Sequence, residues 1–388
     1  MFVDWLRVLA TLVVFCYHTA RFFDEDGWHV KYAESFTEMT LLTGFISQWL
    51  MPLFFVLSAV SIYYSLRFRS PGRFVLERIK RILLPFIVGV LILIPPQVYL
   101  ERLSHMQFRG SFWQFLPHYF DGFYGFGGNF AWMGLHLWYL LFLFLFSLLT
   151  LPLFWWGCNR TGGTLSEFWT RIASSKPGVI YLFALPMMIL ETIIDPRSDL
   201  GRRDFGGWSL PIYLAVLIVG FFTLTTPAMR EAMRRLRKMS LVMGVVTAST
   251  LAVLMLSLGN PGRDGQYSEW YALLRAFNSW VWIVSILGFG IQYLNFTNRF
   301  LEYGSEASLP FYIIHQTVIL IVGYAVLDWP LPMLVKYGLI GISSFALILG
   351  IYELIVRRWN GIRLLFGMKP KKPNLASETI ASGQSVKT

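Results

Sequence analysis

Charged residues are scarce in this sequence. Asp, Glu, Lys and Arg make up 14% of its 388 residues, against roughly 25% in an ordinary soluble domain. Only two cysteines are present, too few for a disulfide framework. Hydrophobic residues reach 55% and aromatic residues 17%. These proportions exclude a soluble globular domain, a disordered chain, a collagen and a coiled coil, and they indicate a polytopic membrane protein.

Motifs of several common protein classes are also missing. The six histidines and two cysteines lack the spacing of a metal site, and neither HExxH nor CxxC occurs. A Walker loop, a GxGxxG that opens a helix and a GxSxG elbow are absent. The net charge of +11 is spread over short loops, whereas nucleic-acid binding needs a larger basic face. The sequence therefore predicts no metal and no nucleic-acid partner.

Ten hydrophobic segments are each close to the length of about 20 residues that a helix needs to cross a bilayer. Polar or Gly/Pro-rich stretches separate them. The predicted fold class is therefore all-α, a polytopic membrane protein with about ten transmembrane helices. The segments are residues 4–22, 41–66, 83–100, 135–155, 179–194, 208–225, 241–258, 271–294, 309–327 and 335–356.

The distribution of basic residues predicts the orientation. With ten spans both termini share one side, and 22 of the 33 lysines and arginines fall in the segments on that side. Since cationic loops face the cytoplasm, both termini are predicted to be cytoplasmic. Residues 1–365 are predicted to form a single transmembrane domain, and residues 366–388 a disordered cytoplasmic tail. The first span is expected to be retained, because Asp4 and Arg7 interrupt what would be the apolar core of a signal peptide.

The first span carries polar residues that are costly in lipid. At about 100° per residue, His18 lies within roughly 20° of the face of Arg7 and about 16 Å further along the helix. Asp4 lies near the same face. A charge at the bilayer centre costs about 2.5 to 3.5 kcal/mol on insertion scales, so this face is expected to line a polar cavity. The alternative is that Asp4 pairs with Arg7 at the interface while His18 caps the helix end.

Several polar residues elsewhere in the predicted spans have a structural interpretation, and some of them also have a functional one. Ser58 can bond backbone or a neighbouring helix as ordinary membrane packing. Arg78 and Arg81, three residues apart on one helical face, can hold a phosphate or simply mark the cytoplasmic side. Glu191 can bind a hydroxylated ligand or pair with one of the three arginines that follow it.

Three ring-bearing residues complete the candidates. His136 and Trp138 open the fourth span, where an aromatic belt at the membrane interface is the alternative to a site. His315 lies about two turns into the predicted ninth span. An intramembrane histidine is a functional candidate, and a structural hydrogen bond is its alternative.

Taken in order, these motifs resemble the membrane acyltransferase-3 family, which includes glucan succinyltransferases, over about residues 2–356. The family opens with Asp-x-x-Arg and Arg-x10-His on its first helix and has a late helix that ends in His. One departure is Ala59, where Gly usually follows the Ser of the second-helix motif. The matching segments are Asp4-Trp5-Leu6-Arg7 with His18, Phe54-Phe55-Val56-Leu57-Ser58, Arg78-x-x-Arg81 and Phe311-Tyr312-Ile313-Ile314-His315-Gln316.

The resemblance implies a multi-pass enzyme of the cytoplasmic (inner) membrane of a cell. It would move an acyl group, acetyl or succinyl, from acyl-CoA to a hydroxyl of an extracytoplasmic glycan or glycolipid. By resemblance His18 is the catalytic imidazole, and Arg7, Arg78 and Arg81, with Ser58, are expected to hold the acyl-CoA donor. Direct transfer with His18 as base and a covalent acyl-His18 intermediate are both open.

Two further expectations concern the neighbours of these residues. Asp4 is expected to orient Arg7, because it lies too far along the helix to touch His18. His315 is expected to lie closer in depth to Arg7 than to His18, which favours a structural or donor-binding role over that of a second base.

The competing hypothesis is a transporter or flippase of a lipid-linked sugar or glucan, with the aromatic segment 101–134 as a binding lip. A proton-coupled carrier is expected to place carboxylates near the bilayer midplane. The acidic residues Asp4, Glu191, Asp195 and Asp328 all lie near predicted span ends instead. This distribution favours the enzyme.

Overall fold

The computed structural model describes residues 1–159, 164–258 and 269–371. Within these ranges the regular structure is helical, apart from an isolated bridge between Phe123 and Phe130. Seven of the described helices are long and apolar enough to cross a membrane, and two bent pairs raise the number to nine. The all-α polytopic class is confirmed, and the count of ten is not. The predicted disordered tail lies outside the described residues from residue 372 onward.

Thirteen helices of the described ranges are numbered in chain order. They are α1 (Phe2–Ala20), α2 (Thr37–Phe68), α3 (Pro71–Ser104), α4 (Leu135–Leu149), α5 (Leu151–Cys158), α6 (Trp169–Ser175), α7 (Pro177–Ile193), α8 (Leu210–Thr225), α9 (Pro227–Leu258), α10 (Glu269–Tyr293), α11 (Arg299–Val326), α12 (Met333–Val356) and α13 (Asn360–Leu365).

The middle of the chain differs most from ten regular spans. The predicted fourth span is the pair α4 and α5, bent by 60°. The predicted fifth span, residues 179–194, is α7, and the preceding α6 joins it at an angle of 116°. Pro152 and Pro177 lie at these breaks, where a missing N–H and a bulky ring interrupt a helix. The predicted sixth span is α8, which has only 16 residues.

Helix α3 contains a π-helical turn, Ile79–Leu83. In it the Leu84 N–H donates to the Ile79 carbonyl, five residues back. Pro85 follows directly, and its ring would clash with the carbonyl of Arg81 in a regular helix. The widened turn accommodates that ring, and it also changes the angle between side chains that a regular helix would place one above the other.

The helices differ in how much of their surface other helices cover. Most of α2, α10 and α11 is buried, whereas the apolar surfaces of α9 and α12 are mostly exposed, as expected for helices that face lipid. Helix α1 packs against α2 and α11. The buried helices therefore surround the polar face of α1 and shelter it from lipid, as its composition requires.

A glycine contact tests the packing of α9 on α10. A Cβ at Gly288 would overlap the backbone carbonyl of Met233, which cannot rotate away. We expect Gly288→Ala to destabilise the protein by about 1 to 3 kcal/mol, the usual cost of overpacking, measured as a lower Tm in detergent. In the control Gly350→Ala the new methyl group meets open space, so the Tm should stay the same or rise. Equal Tm values for the two variants would contradict this packing.

Candidate active site

Two histidines from distant parts of the chain meet near the end of α1. The Nδ1 atom of His18 lies 2.7 Å from the Nε2 atom of His315 on α11. Their rings are nearly parallel, with centroids 4.9 Å apart. His315 is only 1% exposed, whereas His18 is half-buried. His18 is thus the accessible member of the pair, and His315 lies behind it.

The hydrogen bonds define which nitrogen carries each proton. The Nδ1 atom of His315 bonds the carbonyl of Tyr312, which can only accept, so this nitrogen is the donor. The Nε2 atom of a neutral His315 is then an acceptor, and the Nδ1–H of His18 donates to it. The lone pair of His18 consequently lies on its Nε2 atom, which is the arrangement of a general base.

This contact corrects the expected depth of His315. Helix α11 begins at Arg299, ten residues before the predicted ninth span. His315 therefore lies about 24 Å along its helix instead of about two turns into it. The first residues of α11 are mixed in polarity, so the hydrophobic run alone misplaced the start of the helix. His315 is a direct partner of His18.

His136 joins the pair as a third ring. Its centroid lies 5.1 Å from that of His315 and 6.5 Å from that of His18. It is buried, with Nε2 3.1 Å from the Ile313 carbonyl and Nδ1 3.3 Å from the amide nitrogen of Gln97. Both ring nitrogens thus have protein partners, which places His136 inside the bundle and not in an interfacial belt. Among the residues that the structure describes, no group of three or more His, Cys, Asp or Glu could hold a metal ion.

His18 faces a cavity of about 800 Å³. Its walls come from α1, α2, the start of α4 and α11, and from the segments that precede α2, α4 and α8. Trp28 lies roughly parallel to the His18 ring, with centroids 6.2 Å apart. The lining includes aromatic and charged side chains, among them Trp28, Tyr124, Phe126, Trp132, Trp138, Asp199, Arg202 and Asp204. Such a mixture suits a ligand with both apolar faces and hydroxyl groups.

The segments that wall the cavity are joined at one buried carboxylate, Glu101 of α3. It accepts hydrogen bonds from Tyr124, at 2.8 and 3.0 Å, and from Arg102, at 3.1 Å. It also bonds His29 from the segment after α1. Burial, together with the neighbouring Glu101 carboxylate, raises the pKa of the Tyr124 phenol, so this phenol stays a donor. Glu101 was not among the site residues predicted from the sequence.

The predicted donor-binding residues lie at the opposite end of α1. Arg7 is 3.3 Å from Asp4, and it donates at 2.8 Å to Ser61 of α2. One turn away Ser58 bonds the phenol of Tyr139, at 2.6 Å. Asp4 is thus in contact with Arg7, as expected, and Ser58 has a partner on α4. The roles of these residues in binding remain predictions.

Arg78 and Arg81 of α3 are both half-buried. The Arg78 guanidinium lies 4.7 Å from the ring centroid of Phe74, and it is close enough to Arg7 and Tyr139 for electrostatic interaction. The π-helical turn from Ile79 separates the two arginines by a wider angle than the predicted single helical face. The structure brings Arg7 and Arg78 towards a common point, a meeting that sequence spacing did not indicate.

A short path of packed rings joins the two ends. The ring of Tyr139 contacts that of Tyr312 edge-on, at 5.9 Å between centroids, and Tyr312 is 5.5 Å from His315. The phenol of Tyr312 donates to the backbone carbonyl of His136. All of these side chains are buried. Arg7 and Arg78 mark the arginine end of α1, and His18 and His315 mark the histidine end. The two ends are therefore separated by two tyrosines.

Glu191 of α7 forms ion pairs with two arginines. Its carboxylate lies 2.8 Å from Arg275 of α10 and 3.0 Å from Arg203. Arg275 also packs its guanidinium 3.9 Å from the ring centroid of Trp208 and donates to the Gly207 carbonyl. The pairing with Arg203 was among the predicted alternatives, whereas Arg275, a single cation within a hydrophobic run, was overlooked.

Comparisons with known proteins identify the family of the chain. The family model described as "Acyltransferase domain", of the acyltransferase-3 type, matches residues 2–353. A relative named "Glucans biosynthesis protein C" from Escherichia coli is 26% identical over 385 residues, which cover 95% of this chain and 94% of the relative. Its namesake from Salmonella schwarzengrund is 25% identical over 390 residues, covering 98% and 97%. No solved structure matches significantly.

The fold and the match together define a multi-pass membrane acyltransferase. The chain belongs to the acyltransferase-3 family.

The ion group around Glu191 predicts a stability effect. Replacing Glu191 by Gln leaves the buried Arg275 and the partly buried Arg203 without their shared carboxylate, and breaking such a buried pair typically costs about 3 to 5 kcal/mol. We expect a clear fall in Tm in detergent. The control is Asp199→Asn, which removes an exposed pair with Arg202 and should shift the Tm little. A Glu191→Gln protein as stable as the control would contradict this role.

Proposed function

We propose that the protein is an inner-membrane O-acyltransferase that moves an acetyl or succinyl group from acyl-CoA to a hydroxyl of an extracytoplasmic glycan. The observation that carries the proposal is the setting of His18. Its Nε2 lone pair lies at a large cavity, and its Nδ1–H is held by His315. A neutral imidazole oriented in this way is suited to take a proton from a hydroxyl.

In the proposed reaction His18 Nε2 takes the proton of the acceptor hydroxyl while the oxygen attacks the thioester carbonyl. The tetrahedral intermediate collapses with cleavage of the carbon–sulfur bond. The leaving thiolate of coenzyme A then takes the proton from His18, which returns to its neutral form. His315 accepts the His18 Nδ1–H throughout, so the same tautomer is restored after each turnover.

The cavity supports the assignment of a carbohydrate as acceptor. Aromatic faces pack well against the C–H faces of sugar rings, and Trp28, Phe126 and Trp132 supply such faces beside His18. Carboxylates such as those of Asp199 and Asp204 accept hydrogen bonds from hydroxyls. The names of the relatives, which concern glucan biosynthesis, favour a glucan among the possible glycans.

The arginine end supports the assignment of acyl-CoA as donor. Coenzyme A carries phosphates, for which guanidinium groups are the preferred partners. Arg7, which interacts with Arg78, lies about 16 Å along α1 from His18, a distance that the long pantetheine arm can bridge. Acyl-CoA is made in the cytoplasm, and the positive-inside rule places the cationic loops on that side. The donor would thus enter from the cytoplasm and the acceptor from the opposite face.

The histidine pair gives a first test. We expect His18→Gln to abolish acyl transfer while acyl-CoA binding is retained, because only the base is lost. His315→Leu should lower kcat on the order of 100-fold, since His18 loses the acceptor that sets its tautomer. Transfer is measured with radiolabelled acyl-CoA and a glucan oligosaccharide. The control, His118→Ala, alters an exposed histidine outside the cavity and should be fully active. Transfer by folded His18→Gln protein would refute the mechanism.

The arginines give a second test. Replacing Arg78 and Arg81 together by Ala should raise the Kd for acyl-CoA at least tenfold, because charge-assisted bonds to phosphate are lost. The exposed Arg73 on the same helix provides the matched control Arg73→Ala, with a Kd close to that of wild type. Isothermal titration calorimetry in detergent measures both. If the wild-type protein bound none of the common acyl-CoA species, the transporter or flippase of a lipid-linked sugar would take the place of the enzyme.

A further inference from the structure

Gln316 of α11 is the neighbour of His315 and lines the same cavity as His18. Its side chain is buried, with 2% of its surface exposed. Among the described residues, its Oε1 atom is one of the few buried side-chain oxygens with no hydrogen-bond partner. Buried polar atoms in folded proteins are almost always paired, so an unpaired oxygen in the wall of a cavity indicates a missing ligand group.

The hydrogen bonds behind Gln316 fix the orientation of its amide, beginning at a backbone carbonyl. The carbonyl of Ile313 can only accept, so the Nε2 atom of His136 is the donor of the 3.1 Å bond between them. The Nδ1 atom of this neutral ring is then an acceptor. Gln97 must therefore direct its NH₂ group, 3.3 Å away, towards His136.

The orientation of Gln97 in turn determines that of Gln316. The NH₂ group of Gln97 also donates to the Thr317 hydroxyl, at 2.7 Å, and that hydroxyl donates onward to a backbone carbonyl. Both bonds agree on the position of the NH₂ group, which leaves the Oε1 atom of Gln97 as an acceptor. Gln316 donates its Nε2–H to this oxygen, at 3.0 Å. Its own Oε1 atom is thus the remaining acceptor, and the network assigns it.

Two chains of hydrogen bonds therefore start at the consecutive carbonyls of Tyr312 and Ile313. One passes through His315 and ends at the Nε2 lone pair of His18. The other passes through His136 and Gln97 and ends at Gln316 Oε1. Both termini belong to residues that line the cavity, and both are acceptors. A ligand in this cavity that is complementary to both acceptors needs two donor groups.

A sugar with two neighbouring hydroxyls meets this requirement, whereas the phosphates and the thioester carbonyl of acyl-CoA are acceptors and do not. We propose that Gln316 is a substrate-positioning residue, whose Oε1 atom accepts a hydrogen bond from a hydroxyl next to the one that is acylated. This inference rests on the proposed function. His18 activates the attacking hydroxyl, and Gln316 holds its neighbour, so the pair selects which hydroxyl of the sugar reacts.

The test combines a variant with altered substrates. Gln316→Met keeps the length of the side chain and removes the acceptor. With methyl glucoside as acceptor, we expect its KM to rise about tenfold, with the KM for acyl-CoA unchanged. Monodeoxy methyl glucosides, each lacking one hydroxyl, locate the contact. Removing the hydroxyl that Gln316 binds should raise the acceptor KM of the wild-type protein about tenfold. The acceptor KM of Gln316→Met should be the same with and without this hydroxyl.

Two further variants separate positioning from packing. Thr317→Val removes another bond of the same network without altering the cavity wall, so it should lower the Tm but keep the wild-type response to the deoxy sugars. Gln316→Glu retains an acceptor oxygen, and in its protonated form it can also donate to Gln97. This variant should therefore recover the acceptor KM as the pH falls and should also show the wild-type response to the deoxy sugars, and a purely structural role would not produce that response.

The outcomes are distinct. A folded Gln316→Met protein with the wild-type acceptor KM and the wild-type response to every deoxy sugar overturns the inference. A rise in the KM for acyl-CoA alone also overturns it, because the oxygen would then bind an amide N–H of the pantetheine arm. Failure of the wild-type protein to acylate any glycan overturns the proposed function itself, and this result is read without any variant.

Discussion

The hydrogen bond between His18 and His315 is the contact on which the rest of the site depends. It joins α1 to α11, and its direction is set by a carbonyl of α11. Two glycines of α11 allow the helices to approach closely. A Cβ at Gly323 would overlap the ring of Phe22, and one at Gly304 would lie 3.0 Å from Val8. Since His315 lies between these glycines in sequence, the close approach of the helices and the orientation of the base are parts of one arrangement.

The charges of the two ends suit different chemistry. Arg7 and Arg78 present donors and positive charge near the start of α1, whereas the histidine end presents neutral acceptors backed by buried amides. Neutral groups are less costly than ions to bury among apolar helices. As proposed, a base that is neutral at rest would therefore allow the reacting centre to lie within the bundle, while the full charges would stay near the helix ends.

The sequence predicted the features that depend on local periodicity. The shared face of Arg7 and His18 follows from the 3.6-residue repeat, and the membrane class follows from composition. The partner of His18 could not be found in this way, because the polar start of α11 shifted the predicted helix by ten residues, or about 15 Å. Glu101 and Arg275 were overlooked because their partners come from segments far away in the chain. For Arg275 the available signal was a single charge inside an apolar run, whereas Glu101 follows the end of an apolar run and has a charged neighbour, Arg102.

The tyrosines between the two ends have a consequence for the membrane itself. Ser58, Tyr139 and Tyr312 fill the interior between the arginines and the cavity with packed, hydrogen-bonded side chains. An enzyme that receives its substrates from opposite faces of a bilayer contains, in effect, two half-channels. In the proposed reaction these side chains would act as an aromatic plug between the half-channels and would preserve the ion gradient across the bilayer. The acyl group of the donor would displace the plug only while it occupies the path itself. Ions would then not cross the bilayer during catalysis.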